Sequence, residues 1–213
     1  KHSFSIVFSR IPLAYAPDIF YHERKSGRSE AVQKSLNLSV IFFRPIVHEV
    51  KCMLKPTTLA MILAGSRVDE LNVLTYYRPK SAVPFGGVGR VIDFSLSNLI
   101  NSGIEQVALL SQYRSYSLIN HIGTGAAWDL IGRYRHVSIL PPFLGSEATD
   151  WYRGPADAIY KNLDYVHYHK PEEILILSGD HIYKMDYQDL IDYHTEKDAD
   201  LTVAFIRVPP GDA

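Results

Sequence analysis

Hydrophobic and polar positions change character near residue 59. Before it, short apolar runs such as Phe4–Phe8 and Leu38–Phe43 alternate with polar stretches such as Lys25–Ser35. Leu59–Ala64 is then continuously apolar, the pattern of a strand buried on both faces. Gly65-Ser66 breaks it, and Gly86-Gly87-x-Gly89 further on reads as a tight turn. Ile92, Leu96, Leu99 and Ile100 recur at helical spacing, and Gly103 closes that helix. Val107–Leu110 is a short buried strand, Ser115–His121 a short helix stopped by Gly123 and Gly125, and Val137–Leu140 an edge strand before Pro141-Pro142. Gly154-Pro155 opens a helix with a stripe of Ala156, Ile159, Leu163 and Val166. A strand at Ile174–Leu177 ends in Ser178-Gly179-Asp180-His181. A helix follows with Tyr187, Leu190, Ile191 and His194 on one face and Asp186 at its N-cap, and Leu201–Val208 is the last strand. Strands alternating with helices predict an α/β fold with a doubly wound, mostly parallel sheet.

Composition adds limits. Of 213 residues, 46% are hydrophobic and 21% charged, with 22 basic against 23 acidic side chains. No overall field favours nucleic acid or an anionic membrane. A single cysteine, Cys52, excludes an internal disulfide framework and suits a reducing, cytoplasmic compartment. No apolar run approaches the ~18 residues of a membrane span. The expected division is an N-terminal extension over residues 1–52, with Met53 standing where a start would sit, and the N-terminal part of the α/β domain from 53 to 213. The end after Pro209-Pro210-Gly211, with no closing helix, reads as a truncated domain.

Ligands of open parallel sheets bind outside the carboxyl ends of the strands. Three strand exits place candidate chemistry there: the loop after Ala64, Gln112-Tyr113 after Leu110, and Asp180 after Leu177. Gly65 and Ser66 offer backbone N–H groups, and Arg67 and Lys80 offer positive charge, which together suit phosphate oxygens. The alternative is a glycine turn with solvated cations, since neither a Walker pattern nor G-x-G-x-x-G is present. Asp180 suits Mg²⁺, a hard cation that takes one or two carboxylates plus substrate phosphates, or else it only caps the next turn. Trp151-Tyr152-Arg153-Gly154 can stack a base or sugar, or plug a loop.

As a set, LAGSR at 63–67, RPKSAVPFGG at 78–87, RVIDFSLSNLINSGI at 90–104, SQY at 111–113, WYRGPADAI at 151–159 and LSGDHIYKMDY at 177–187 resemble the sugar-1-phosphate nucleotidyltransferases. The likeness is strongest to the bacterial glucose-1-phosphate adenylyltransferase branch and runs from Leu59 to Val208. It implies a Rossmann-like nucleotidyltransferase domain, with ATP and glucose 1-phosphate as substrates and Mg²⁺ as cofactor. ADP-glucose for glycogen synthesis and pyrophosphate would be the products. Residue by residue, the resemblance gives Arg67 and Lys80 catalytic roles at the phosphates. It gives Gly65, Ser66, Gln112 and Gly154 to the nucleotide, Tyr152 to the sugar phosphate, and Asp180 to the metal. It further implies a homo- or hetero-tetrameric full-length protein, and a continuation that completes the sugar site, a second metal aspartate and a β-helix.

The sequence departs from that pattern at three points. The usual loop G-G-x-G-T-R-L is Gly65-Ser66-Arg67-Val68-Asp69-Glu70-Leu71 here, so Ser66 replaces a glycine and Glu70 an arginine. An anion beside a triphosphate costs on the order of 1 kcal/mol at a partly exposed site. Pro155 stands where the pattern has threonine. These changes raise two alternatives: a catalytically weak regulatory subunit that binds nucleotide or sugar phosphate, and a nucleotidyltransferase for another sugar or base.

Overall fold

The computed structural model describes residues 5–9, 58–65, 69–132, 134–142 and 151–205. Among the described residues, eight strands and five α-helices run in order as β1 (Ser5–Ser9), β2 (Thr58–Leu63), β3 (Pro84–Phe85), β4 (Gly89–Arg90), α1 (Ile92–Asn101), β5 (Gln106–Leu110), α2 (Tyr116–Ile122), β6 (His136–Leu140), α3 (Pro155–Tyr160), α4 (Leu163–His169), β7 (Glu173–Ser178), α5 (Gln188–Glu196) and β8 (Leu201–Ala204). The main sheet runs β6-β5-β2-β7-β1-β8, and β3-β4 is a separate small hairpin. Pairing is parallel from β6 through β5 and β2 to β7. β1, drawn from the segment ahead of Met53, lies antiparallel between β7 and β8.

Two-sided burial explains the strands. Ala60 and Ile62 of β2, Val107 and Leu109 of β5, and Leu175 and Leu177 of β7 share one face with Ile92, Leu96 and Leu99 of α1, Leu118 of α2 and Ile191 of α5. The intervening residues Leu59, Met61, Ala108, Leu110, Ile174 and Ile176 meet Ala158 of α3 and Val166 of α4 on the other face. The period of two along each strand thus feeds two apolar layers, and each large aliphatic side chain so buried is worth about 1.5–3 kcal/mol. The arrangement is the doubly wound sheet that the alternation predicts. Gly103, at φ +71, closes α1 as expected. No helix among the described residues is long and apolar enough to cross a membrane.

The expected single helix from Pro155 to Val166 is instead two. The Asn162 side-chain amide donates to the Ala158 carbonyl at 2.7 Å, while its backbone N–H turns to Ile159 rather than continuing the helix. Ala156 consequently faces solvent, and Ala158 takes the buried position. The N-cap of α5 is Tyr187 rather than the expected Asp186, one residue earlier, whose carboxylate accepts the Gln188 N–H at 2.9 Å. The last strand is shorter than Leu201–Val208, ending at Ala204, and 206–208 lie outside the described residues.

His194 on α5 is 2% exposed. Its Nδ1 pairs with the Thr202 hydroxyl at 2.7 Å, and its Nε2 has no partner among the described residues. Burial holds its pKa below the ordinary histidine value, against an opposing pull from Asp200. The folded state therefore binds fewer protons than the unfolded chain once pH falls through about 6.5, so stability is full above that pH and is lost below it. His136 and His169, also lowered by burial, act with the same sign. Denaturation between pH 7.5 and 5.5 should show stability falling with acidity. His194→Gln should flatten the slope by up to about 1.4 kcal/mol per pH unit, and an unaltered slope would remove His194 as a cause.

Candidate active site

The chain passes outward from β2 to β5 and β6, then returns to the opposite side of β2 with β7. That reversal leaves a crevice at the carboxyl end of β2, flanked by the exits of β5 and β7. Hydrogen bonding continues past the strand ends: Ala64 N–H reaches Leu110 O at 2.9 Å, and Gly179 N–H reaches Leu63 O at 3.0 Å. The three exits are thereby held in register, and residues far apart in sequence meet there.

Asp180 and Lys80 form the centre. Lys80 Nζ lies 3.0 Å from Asp180 Oδ2, both side chains largely shielded from water. The Ser178 hydroxyl donates to the other carboxylate oxygen, and His181 Nε2 stands 3.6 Å from it. Burial pushes the Asp180 pKa up, but the Ser178 hydrogen bond and the Lys80 ammonium more than offset this and hold it below the usual value. Lys80 begins a turn of 3-10 helix, and the next residue, Ser81, is buried with its hydroxyl on the Ala64 carbonyl at 2.8 Å. The cation is thus tied to the β2 exit and the carboxylate to the β7 exit.

Gly65 brings in the third exit. A Cβ there would stand 2.5 Å from the Gln112 backbone nitrogen and 2.9 Å from its Cβ, so only glycine permits this approach. Gln112 is in turn clasped by Tyr152, whose N–H donates to Oε1 at 3.0 Å and whose carbonyl faces Nε2 at 3.5 Å. The Tyr152 hydroxyl points elsewhere, donating to Pro141 O at 3.1 Å and accepting from Asn162 at 3.0 Å, and burial pushes its pKa up. Gly154 is extended (φ 173) at the start of α3, and a Cβ there would meet nothing within 4 Å, so the fold itself gives no reason for glycine at this position. Ser66 and Arg67 lie outside the described residues.

A family model described as nucleotidyl transferase matches residues 59–213. The chain belongs to the nucleotidyl transferase family. Relatives named glucose-1-phosphate adenylyltransferase from Bacillus mycoides (strain KBAB4), Bacillus cereus (strain Q1) and Bacillus anthracis are each 52% identical over 155 residues. The alignment takes in 73% of this chain and 41% of each relative, so the chain spans less than half their length.

For this nucleotidyl transferase domain the donor set decides what metal can bind. No group of three or more His, Cys, Asp or Glu side chains among the described residues could hold an ion. Asp180, with one oxygen on Lys80 and the other on Ser178, fits a cation carried in on phosphates, which takes one or two carboxylates from a protein.

The sequence motifs locate Lys80, Gln112, Tyr152 and Asp180 but not what holds them. They miss Ser81 and Ser178, and also His181, whose lone ring gives no reason to choose it. A serine beside each charged candidate, inside otherwise apolar surroundings, is the available signal. Two glycines should respond in opposite ways. Gly65→Ala must displace Gln112 and should cost about 1–3 kcal/mol in chemical denaturation, whereas Gly154→Ala should leave stability within about 0.5 kcal/mol. Equal effects would contradict the packing described.

Proposed function

We propose that the full-length protein transfers an adenylyl group from ATP to glucose 1-phosphate, releasing pyrophosphate and ADP-glucose for glycogen synthesis. The observation that carries this reading is the Lys80–Asp180 pair, 3.0 Å apart at the crevice where the strand order reverses, within the segment shared with the named relatives.

The chemistry asks for little covalent help. A phosphate oxygen of the sugar phosphate attacks the α-phosphorus, the bond to the bridging oxygen breaks, and that oxygen leaves with pyrophosphate. Two anions must be brought together in line, so positioning and charge neutralisation supply the acceleration. Mg²⁺, when carried on the nucleotide, supplies charge neutralisation at the phosphates, with Asp180 as its protein ligand. Lys80 and Asp180 neutralise one another, which avoids burying either charge alone. A metal–nucleotide complex would exchange that contact for a phosphate oxygen on Lys80 and the cation on Asp180. Ser81 and Ser178 keep both side chains at their stations through that exchange. Gly65 and Ser66 serve the phosphates through their backbone N–H groups, and Arg67 through its charge. Gln112 and Gly154 border the base, and the space open beside Gly154 supports a close ligand approach. Tyr152 serves the sugar phosphate, its hydroxyl steadied by Asn162 and its backbone by Gln112.

Glu70 supports a second reading, a weakly active regulatory subunit. It is exposed, in the kinked segment Asp69–Leu74 that follows the phosphate loop, where an anion opposes triphosphate binding. The half-buried Arg78 offers compensating charge; it adds to the lowering of the Arg90 pKa that burial chiefly causes.

Pyrophosphate release by the full-length protein, with ATP or another nucleoside triphosphate and glucose 1-phosphate or another sugar phosphate, separates these readings. ATP with glucose 1-phosphate should be the most efficient pair, and Asp180→Asn should lower kcat/KM by roughly 100-fold or more. Activity absent in both the wild type and Glu70→Arg would favour the regulatory subunit; a different preferred pair would reassign the substrates.

A further inference from the structure

The segment from Gly179 to Tyr187 carries Asp180 yet forms neither helix nor strand. Its geometry must come from elsewhere, and one face of α1 supplies it. Ser95, Asn98 and Ser102 recur at i, i+3 and i+7, a stripe beside the apolar Ile92, Leu96 and Leu99. All three are buried, where an unpaired amide or hydroxyl would be costly. Each meets the segment at a different point. Ser95 Oγ donates to the Ser178 carbonyl at 3.2 Å, and Asn98 Nδ2 donates to the Tyr183 carbonyl at 3.0 Å. The Tyr187 N–H donates to Ser102 Oγ at 2.8 Å, while that hydroxyl donates to the Asn98 carbonyl at 2.8 Å. Tyr183 and Tyr187 are joined through their hydroxyls at 2.8 Å, which stiffens the far half.

We propose that the polar stripe of α1, with Asn98 at its centre, positions Asp180 by fixing the backbone on both sides of it, at Ser178 and at Tyr183. The idea rests on the nucleotidyl-transfer reading for its consequence, though not for its geometry. A helix needed only for packing would present apolar side chains to this segment. α1 and its C-cap residue Ser102 instead spend three buried positions on main-chain groups of Ser178, Tyr183 and Tyr187. With these hydrogen bonds in place, the carboxylate stands between Lys80 and Ser178. Without Asn98, the Tyr183 carbonyl loses its donor and the chain between the anchors is released. Asn98 touches no reacting group and acts only through the segment.

Lys184 is exposed in the middle of this segment and makes it testable with trypsin. In the full-length protein, Asn98→Ala should speed cleavage after Lys184 by about 10-fold, the equivalent of one lost buried hydrogen bond, with overall melting lowered by only a few degrees. Ser95→Ala, which removes only a hydroxyl, should do the same more weakly and serves if Asn98→Ala does not fold. In turnover, the Mg²⁺ concentration for half-maximal rate should rise several-fold while kcat at saturating Mg²⁺ stays within about twofold of wild type. Cleavage at the wild-type rate overturns the proposal, as does faster cleavage with an unchanged Mg²⁺ requirement. A wild type without any turnover overturns the nucleotidyl-transfer reading instead. The stripe is then judged by cleavage alone, faster supporting it and unchanged overturning it.

Discussion

Everything at the candidate site depends on β2 pairing in parallel with β5 on one side and β7 on the other. Parallel neighbours end at the same edge of a sheet, so their exits are forced together although Ala64, Leu110 and Ser178 are distant in sequence. The pairing is held by residues that have no chemistry. Ile62, Leu109 and Leu177 fill one layer, and Met61, Ala108 and Ile176 the other. The apolar burial that drives folding therefore also sets the spacing of Lys80, Gln112 and Asp180.

That scaffold then carries a cost, because it places a lysine and an aspartate in partly dry surroundings. Desolvation of such a pair is offset only with good geometry and further hydrogen bonds. Both conditions are met. The Lys80–Asp180 contact is short, Ser178 satisfies the remaining carboxylate oxygen, and Ser81 anchors the lysine's turn to Ala64. The two charges thereby neutralise one another where the exits of β2 and β7 meet.

Much of this is legible in the sequence, for identifiable reasons. Strands buried on both faces are unbroken apolar runs, and LAMIL, QVALL and EILIL stand out in a chain of mixed polarity. The amphipathic period of α1 and α5 is equally plain. The α3–α4 break is not, because it depends on the Asn162 side chain taking a helix carbonyl, and an asparagine in a helical pattern announces no such choice. β1 is hidden as well: a five-residue strand joins a sheet through backbone pairing with β7 and β8, about which its own residues say nothing. At the site, motifs identify the charged and glycine positions. The serines and Asn98 that hold them make tertiary bonds to main-chain groups, and those partners emerge only on folding.

The central claim is that the exits of β2 and β7 form one nucleotide–cation site with Asp180 as the protein's ligand to the cation. It is tested most directly by calorimetric titration of ATP into the full-length protein, with and without Mg²⁺, for wild type and Asp180→Asn. Mg²⁺ should tighten ATP binding to the wild type by roughly 10-fold, about 1.4 kcal/mol, and should give no such gain in Asp180→Asn. An equal Mg²⁺ enhancement in both proteins would contradict the claim.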